Sequence, residues 1–246
     1  MTQAPYKRTV TITVGKEKTV SQNYTLYLMS EGYSGPAVKS FQASEKADGN
    51  GDSYLTVVDE EAKTVHIFLP EDADGFFVAV TMDGKIDPPL KLAGDTIEEE
   101  EWNEYSASEL NNKKLSFKDV AGIEYSYKIE VHDSADADDT DASLKSLKVR
   151  SGSKQSTSDN VEIGFDPKVL DYAFSVAKSD VYLNIAAAAK DSDATVFING
   201  QQVTSLTVDD LATDEATEFD ILVIAGDNKT TQTYTVTVNG DRKSVV

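Results

Sequence analysis

The feature that most constrains this chain is how often short runs alternate apolar with polar residues, because side chains along a strand point to opposite faces with a period of two. In Thr9-Val10-Thr11-Ile12-Thr13-Val14, the apolar Val10, Ile12 and Val14 share one face and the threonines the other. A turn at Gly15-Lys16-Glu17-Lys18 leads to a second strand from Tyr24 to Met29. Further strands are expected over 38–43, 54–58, 64–69, 76–82, 115–120 and 124–131. No segment holds a 3.6-residue apolar stripe over three turns, so the expected fold class is all-β.

After residue 142 the cadence is cleaner. Leu144, Leu147 and Val149 open it, and Tyr172, Phe174 and Val176, then Val181, Leu183 and Ile185, keep strict alternation. Val196 and Ile198 run into Asn199-Gly200, a turn pair that tolerates positive φ. Phe219, Ile221 and Val223, then Tyr234, Val236 and Val238, complete the set. About seven short strands in roughly 95 residues is the proportion of an Ig-like sandwich.

Between residues 133 and 141, Asp133, Asp136, Asp138, Asp139 and Asp141 mix with Ser, Ala and Thr, a composition with nothing to bury. The expected organisation is therefore an N-terminal sandwich over 1–132 with an extra N-terminal hairpin, an acidic linker over 133–142 and a C-terminal sandwich over 143–246. The halves also read as a divergent tandem repeat. Val38-Lys39-Ser40-Phe41 resembles Leu144-Lys145-Ser146-Leu147, and Tyr127-Lys128-Ile129-Glu130-Val131 matches Tyr234-Thr235-Val236-Thr237-Val238.

Charge and composition exclude several functions. Across 246 residues, 43 acids against 23 bases give a formal charge of −20, which repels nucleic-acid phosphates and anionic membranes. Cysteine is absent, removing disulfides, thiolate nucleophiles and thiolate metal sites together. With only His66 and His132, no two-histidine zinc helix can be written, so no enzyme is expected. His66 is expected on the outer face of its strand, between Val65 and Ile67. No apolar run of ~18 residues is present to span a bilayer, and Met1 to Pro5 lack the marks of a signal peptide.

The second half resembles the bacterial cadherin-like β-sandwich domain. Leu144-Lys145-Ser146-Leu147-Lys148-Val149 is similar to its opening strand, and Phe165-Asp166-Pro167 with Leu170-Asp171-Tyr172 to its F-D-P…Y signature. Ala194 to Gly200 resembles its A-x-V-x-I-N-G hairpin, and Tyr234 to Val238 its closing strand. Residues 144–239 carry the resemblance clearly and 38–131 faintly. Glu215 to Glu218 depart from it, standing where the family has a Gly-Asn turn. The resemblance implies two tandem Ig-like or cadherin-like sandwiches in a spacer, adhesion or assembly module without catalytic machinery. It implies an extracellular or cell-surface setting, with other domains of a larger surface protein or identical subunits as partners. The stretch over 9–15 echoes 235–240, and an exposed strand edge there is a possible donor to a neighbouring chain in a fibre or layer.

Two constellations could carry binding chemistry. Asp48-Gly49-Asn50-Gly51-Asp52-Ser53-Tyr54 with Asp59 follows D-x-N-x-D and ends in an acid at position 12, as a calcium loop does. Its ligands would be Asp48, Asn50, Asp52, the Tyr54 carbonyl and Asp59, although Ser53 replaces the usual Gly and the same residues suit a plain turn. The acidic linker is a second candidate for calcium, whereas Asp191-Ser192-Asp193 reads as a turn. Trp102 follows Glu98-Glu99-Glu100-Glu101 and precedes Tyr105, a pairing that could stack a polysaccharide ring; a loop anchor is the plainer reading of the same Trp.

Overall fold

The computed structural model describes residues 6–14, 20–28, 33–71, 73, 75–134, 137–211 and 216–240. The turn expected at 15–18, Asp136 of the linker and Glu215 lie outside them. Among the described residues the regular structure is strand, with a single turn of α-helix at Ala107–Leu110 and a short 3₁₀ turn at Gln155–Thr157. The chain divides into two compact units. One comprises 1–53, 63–65 and 74–130, the other 54–62, 66–73 and 131–246.

The first strands are β1 (Tyr6–Val14), β2 (Val20–Leu28), β3 (Ala37–Ser44), β4 (Ser53–Asp59), β5 (Thr64–Leu69) and β6 (Phe76–Asp83). Next come β7 (Ile86–Leu92), β8 (Asp95–Ile97), β9 (Asn103–Tyr105), β10 (Lys114–Asp119) and β11 (Glu124–Asp133). In the N-terminal unit β3 pairs with β6 and β6 with β9, while β10 pairs with both β7 and β11, all antiparallel. Phe41, Val78, Val80, Leu92, Leu115 and Tyr127 are among its buried residues. Strands β1 and β2 form a separate two-stranded sheet. Strand β7 escapes a reading by alternation because Pro88 and Pro89 cannot donate to a ladder. Its register against β10 jumps from Asp87 to Lys91, so both prolines sit where no pairing is required.

The second unit contains β12 (Leu144–Gly152), β13 (Asp159–Val161), β14 (Asp171–Val176), β15 (Tyr182–Ala189), β16 (Thr195–Ile198), β17 (Ser205–Val208), β18 (Thr217–Ile224) and β19 (Thr231–Gly240). They make two four-stranded sheets, ordered β13-β12-β15-β17 and β14-β19-β18-β16. Inward residues of both sheets, including Leu147, Ile185, Ile221 and Tyr234, share one core. A register shift between Leu144 and Ser146 explains how Leu144 and Leu147, three apart, both turn inward: the bulge absorbs the odd residue.

One kind of bond occurs in both units. Tyr127 Oη accepts from Val38 N at 3.4 Å in the first unit, and Tyr234 Oη accepts from Leu144 N at 3.0 Å in the second. Each tyrosine of a late strand thereby ties down an earlier strand of its own unit, β3 in the first and β12 in the second.

One expectation fails on β5. All six of its residues are buried, so His66 has no outer face to occupy. Period-two reading assumes one wet face, and a strand covered on both sides violates that assumption.

Candidate metal centre

Strand register decides which loops meet in the C-terminal unit. Leu144 of β12 lies opposite Ala189 of β15, and Lys190 N continues the ladder by donating to Ser143 O at 2.9 Å. The residues entering β12 and those leaving β15 therefore occupy the same end of one sheet. The first group is the end of the aspartate-rich stretch, and the second is Lys190 to Asp193.

Carboxylate oxygens of Asp139, Asp191 and Asp193 come within 4.8 Å of one another there. Asp139 is half-buried and fixed through its backbone, its carbonyl accepting from Asp227 N at 2.9 Å. Its side chain lies over Gly226, where a Cβ would collide with the carboxylate. Asp191 Oδ1 accepts from Asp193 N at 2.8 Å, closing the turn that presents both side chains. Next to them, Asp141 takes Lys190 Nζ at 2.6 Å and the Ser143 backbone N–H at 3.0 Å. The Lys190 hydrogen bond, with those from Ser143, holds the Asp141 carboxyl down at about 2, and Asp141 in turn raises the Lys190 ammonium. The stretch read as an unburied linker is thus tied down, over 139–141, onto the C-terminal sandwich.

The donor set tests what this end of the sheet could hold. It offers only carboxylate oxygen, the preference of hard cations and not of zinc or copper. Two oxygens on opposite sides of a calcium ion stand roughly 4.6–5.2 Å apart, so the observed spread suits a shared ion. Three carboxylates this close repel one another, and a divalent cation would relieve that repulsion.

The sequence-predicted calcium ligands are arranged otherwise. Residues 53–59 form the extended strand β4, which carries Asp59 roughly 20 Å along the chain from Ser53 at ~3.3 Å per residue. Position 12 therefore cannot fold back to close a loop begun at Asp48. Asp59 is buried, and its two oxygens accept from Ala62 N at 2.8 Å and Gln202 N at 3.0 Å. Asp48 instead takes Asn50 N at 3.0 Å and Asn50 Nδ2 at 3.1 Å, the geometry of an Asx turn, which holds its carboxyl below the usual range. Asp52 is exposed, and Tyr54 belongs to β4.

The sugar platform is not assembled either. Tyr105 is buried on β9, whereas Trp102 is half-buried with its indole against Gly49, at the position a Cβ would take. Of the neighbouring glutamates, Glu99 Oε2 accepts from Met82 N at 3.1 Å.

One arrangement escaped the sequence. His66 Nδ1 and His132 Nε2 lie 3.0 Å apart in the second unit, with Phe68 stacked on His132 at 4.5 Å and the edge of Phe197 against His66 at 5.2 Å. The two histidines are the chain's only ones, and nothing in their 66-residue separation signals the contact.

Residues 124–239 match the family model described as the cadherin-like beta sandwich domain. No curated protein matches the chain. Among solved structures, the titin domains Z1Z2 in complex with telethonin align at 9% identity over 84% of this chain and 96% of that one, with a TM-score of 0.20. The fibronectin(III)-like modules of Clostridium thermocellum CbhA align at 10% identity over 76% and 94%, also at 0.20. Both superpositions are too loose to bear on this protein. No helix among the described residues is long and apolar enough to cross a membrane.

Proposed function

We propose that this chain, whose residues 124–239 belong to the cadherin-like beta sandwich family, is a non-catalytic spacer or adhesion module of a bacterial cell-surface or secreted protein, stabilised by calcium. The observation that carries the calcium reading is the convergence of Asp139, Asp191 and Asp193 at one end of the C-terminal sandwich. An ion there joins the incoming chain to the β15–β16 turn, and so stiffens the entry to the domain. A spacer needs that property, because a flexible approach would let successive domains swing freely.

The test is thermal unfolding of the full chain in millimolar calcium and in excess EDTA, repeated with Asp191→Asn/Asp193→Asn. A ligand at ~100 times its dissociation constant adds about 2.7 kcal/mol to the folded state, a shift of several degrees. The native chain is expected to shift and the variant not to. A native chain indifferent to calcium removes the ion from this account, and an equal shift in the variant moves it elsewhere.

A further inference from the structure

The β1–β2 hairpin has an apolar face that the rest of its unit leaves uncovered. Pairing runs from Tyr6 opposite Leu28 to Val14 opposite Val20 without a break. That register puts Val10, Ile12, Val14, Tyr24, Leu26 and Leu28 on one face, joined by Arg8 and Gln22. All six apolar side chains are exposed, Ile12 at 50%, Leu28 at 60% and Val14 at 69%. The opposite face carries Tyr27 among polar residues and bonds across the strands: Thr11 Oγ1 donates to Asn23 Oδ1 at 2.7 Å, and the Thr13 and Ser21 hydroxyls lie 2.9 Å apart.

A two-stranded sheet with one apolar side is marginal in water unless that side is covered. We infer that it is covered by the same face of a second copy, the two hairpins packing face to face as the halves of a small four-stranded sandwich. Three observations favour this occupant. The first is the scarcity of any other apolar surface. Outside the hairpin, the exposed large apolar residues among those described are Val120, Val169, Leu170 and Val181, too few to blanket a hairpin of two nine-residue strands. The second is area. The six side chains leave roughly 550 Å² accessible per copy, so pairing removes ~1,100 Å² from water, above the ~1,000 Å² a specific interface needs. The third is charge. Residues 1–28 carry Lys7, Arg8, Lys16 and Lys18 against Glu17 alone, in a chain with 43 acids to 23 bases. Two copies meeting there set a local net +3 against +3, a milder like-charge contact than two of their acidic faces would make, and a twofold arrangement closes at two.

Sedimentation and light scattering of the full chain, up to ~200 μM, test this as the mass approaches twice 26.7 kDa. Salt separates the modes. A hairpin-to-hairpin interface between two acidic chains tightens as ~0.5 M salt screens their repulsion, whereas a basic hairpin docked on an acidic surface loosens. Ile12→Lys/Leu26→Lys is expected to abolish the dimer, and Thr11→Lys/Thr13→Lys on the polar face to leave it intact. A native chain that stays at one mass throughout overturns the inference and leaves the face to a different partner. So does a dimer that survives the first double variant, or a mass that grows without closing at two.

Discussion

Replacing Tyr234 by Phe removes one oxygen from the core of the C-terminal sandwich and nothing else. Tyr234 and Leu144 are fully buried. The hydroxyl accepts from Leu144 N at 3.0 Å and from Gln232 Nε2 at 2.6 Å, and donates to Pro167 O at 3.0 Å. Without it, Pro167 O keeps Gln232 Nε2 at 3.4 Å, but the Leu144 N–H loses this acceptor at a fully buried residue. An orphaned buried donor costs about 1–3 kcal/mol, so the expected loss is ~2 kcal/mol, roughly thirtyfold in the folding equilibrium. At about 2–4 °C per kcal/mol, the transition of this unit falls by ~4–8 °C. The matched change Tyr127→Phe removes longer contacts, 3.4 Å to Val38 N and 3.4 Å to Lys63 Nζ, and is expected to cost about half as much or less. Guanidinium unfolding followed by circular dichroism measures both, with an unchanged denaturant slope as the check that packing is intact. A loss below ~0.5 kcal/mol for Tyr234→Phe, or a larger loss for Tyr127→Phe, refutes the view that these hydroxyls pin β12 and β3.

Acid titration should single out Asp141. Its folded carboxyl titrates at about 2 against an ordinary 3.8, so its contribution to stability is complete above about pH 4 and is lost as pH falls towards 2. Asp141→Asn removes that component, and Lys190→Met returns the carboxyl towards the ordinary range; carbon NMR of the side chain reads the second directly. In the N-terminal unit, Gly49→Ala places a Cβ against the Trp102 ring at a residue with φ of +69°. A cost of about 1–3 kcal/mol is expected, with a change in the emission of the chain's only tryptophan. Unchanged emission would mean that Trp102 does not rest on that turn.

Alternation made the all-β class legible because most strands here have one wet face and one dry one. Strand β18 is the clear case, with Phe219, Ile221 and Val223 inward. It failed where that premise failed. Strand β5 is dry throughout, β7 holds two prolines inside a register break, and β8, β9 and β13 span three residues each, too short to show any period. The domain boundary shows a different failure. Composition marks where the chain is polar, here 133–142, and carries no information on which segments touch. It cannot report that residues 54–62 and 66–73 group with the C-terminal unit, because that depends on contacts such as Phe68 with Phe197 and Asp59 with Gln202 N.

The candidate site was hidden for the same reason. A calcium loop is a local device, so a scan for one rewards ligands spaced along a dozen consecutive residues, and 48–59 fits that spacing on paper. Backbone geometry then overrules it, since an extended β4 holds Asp59 away while Asp48 satisfies itself on Asn50. At the edge of a sandwich the oxygens that converge come from loops joined by strand pairing, here 139 with 191 and 193. Both segments stood out in the sequence for their aspartates, one as a linker and the other as a turn. What joins them is the register of β12 on β15: with Leu144 opposite Ala189, the acids five residues before the one and two to four residues after the other have to share an end. A one-residue slip in that pairing would turn Leu147 and Val149 out of the core, so the hydrophobic pattern that builds the sandwich also fixes where its carboxylates meet.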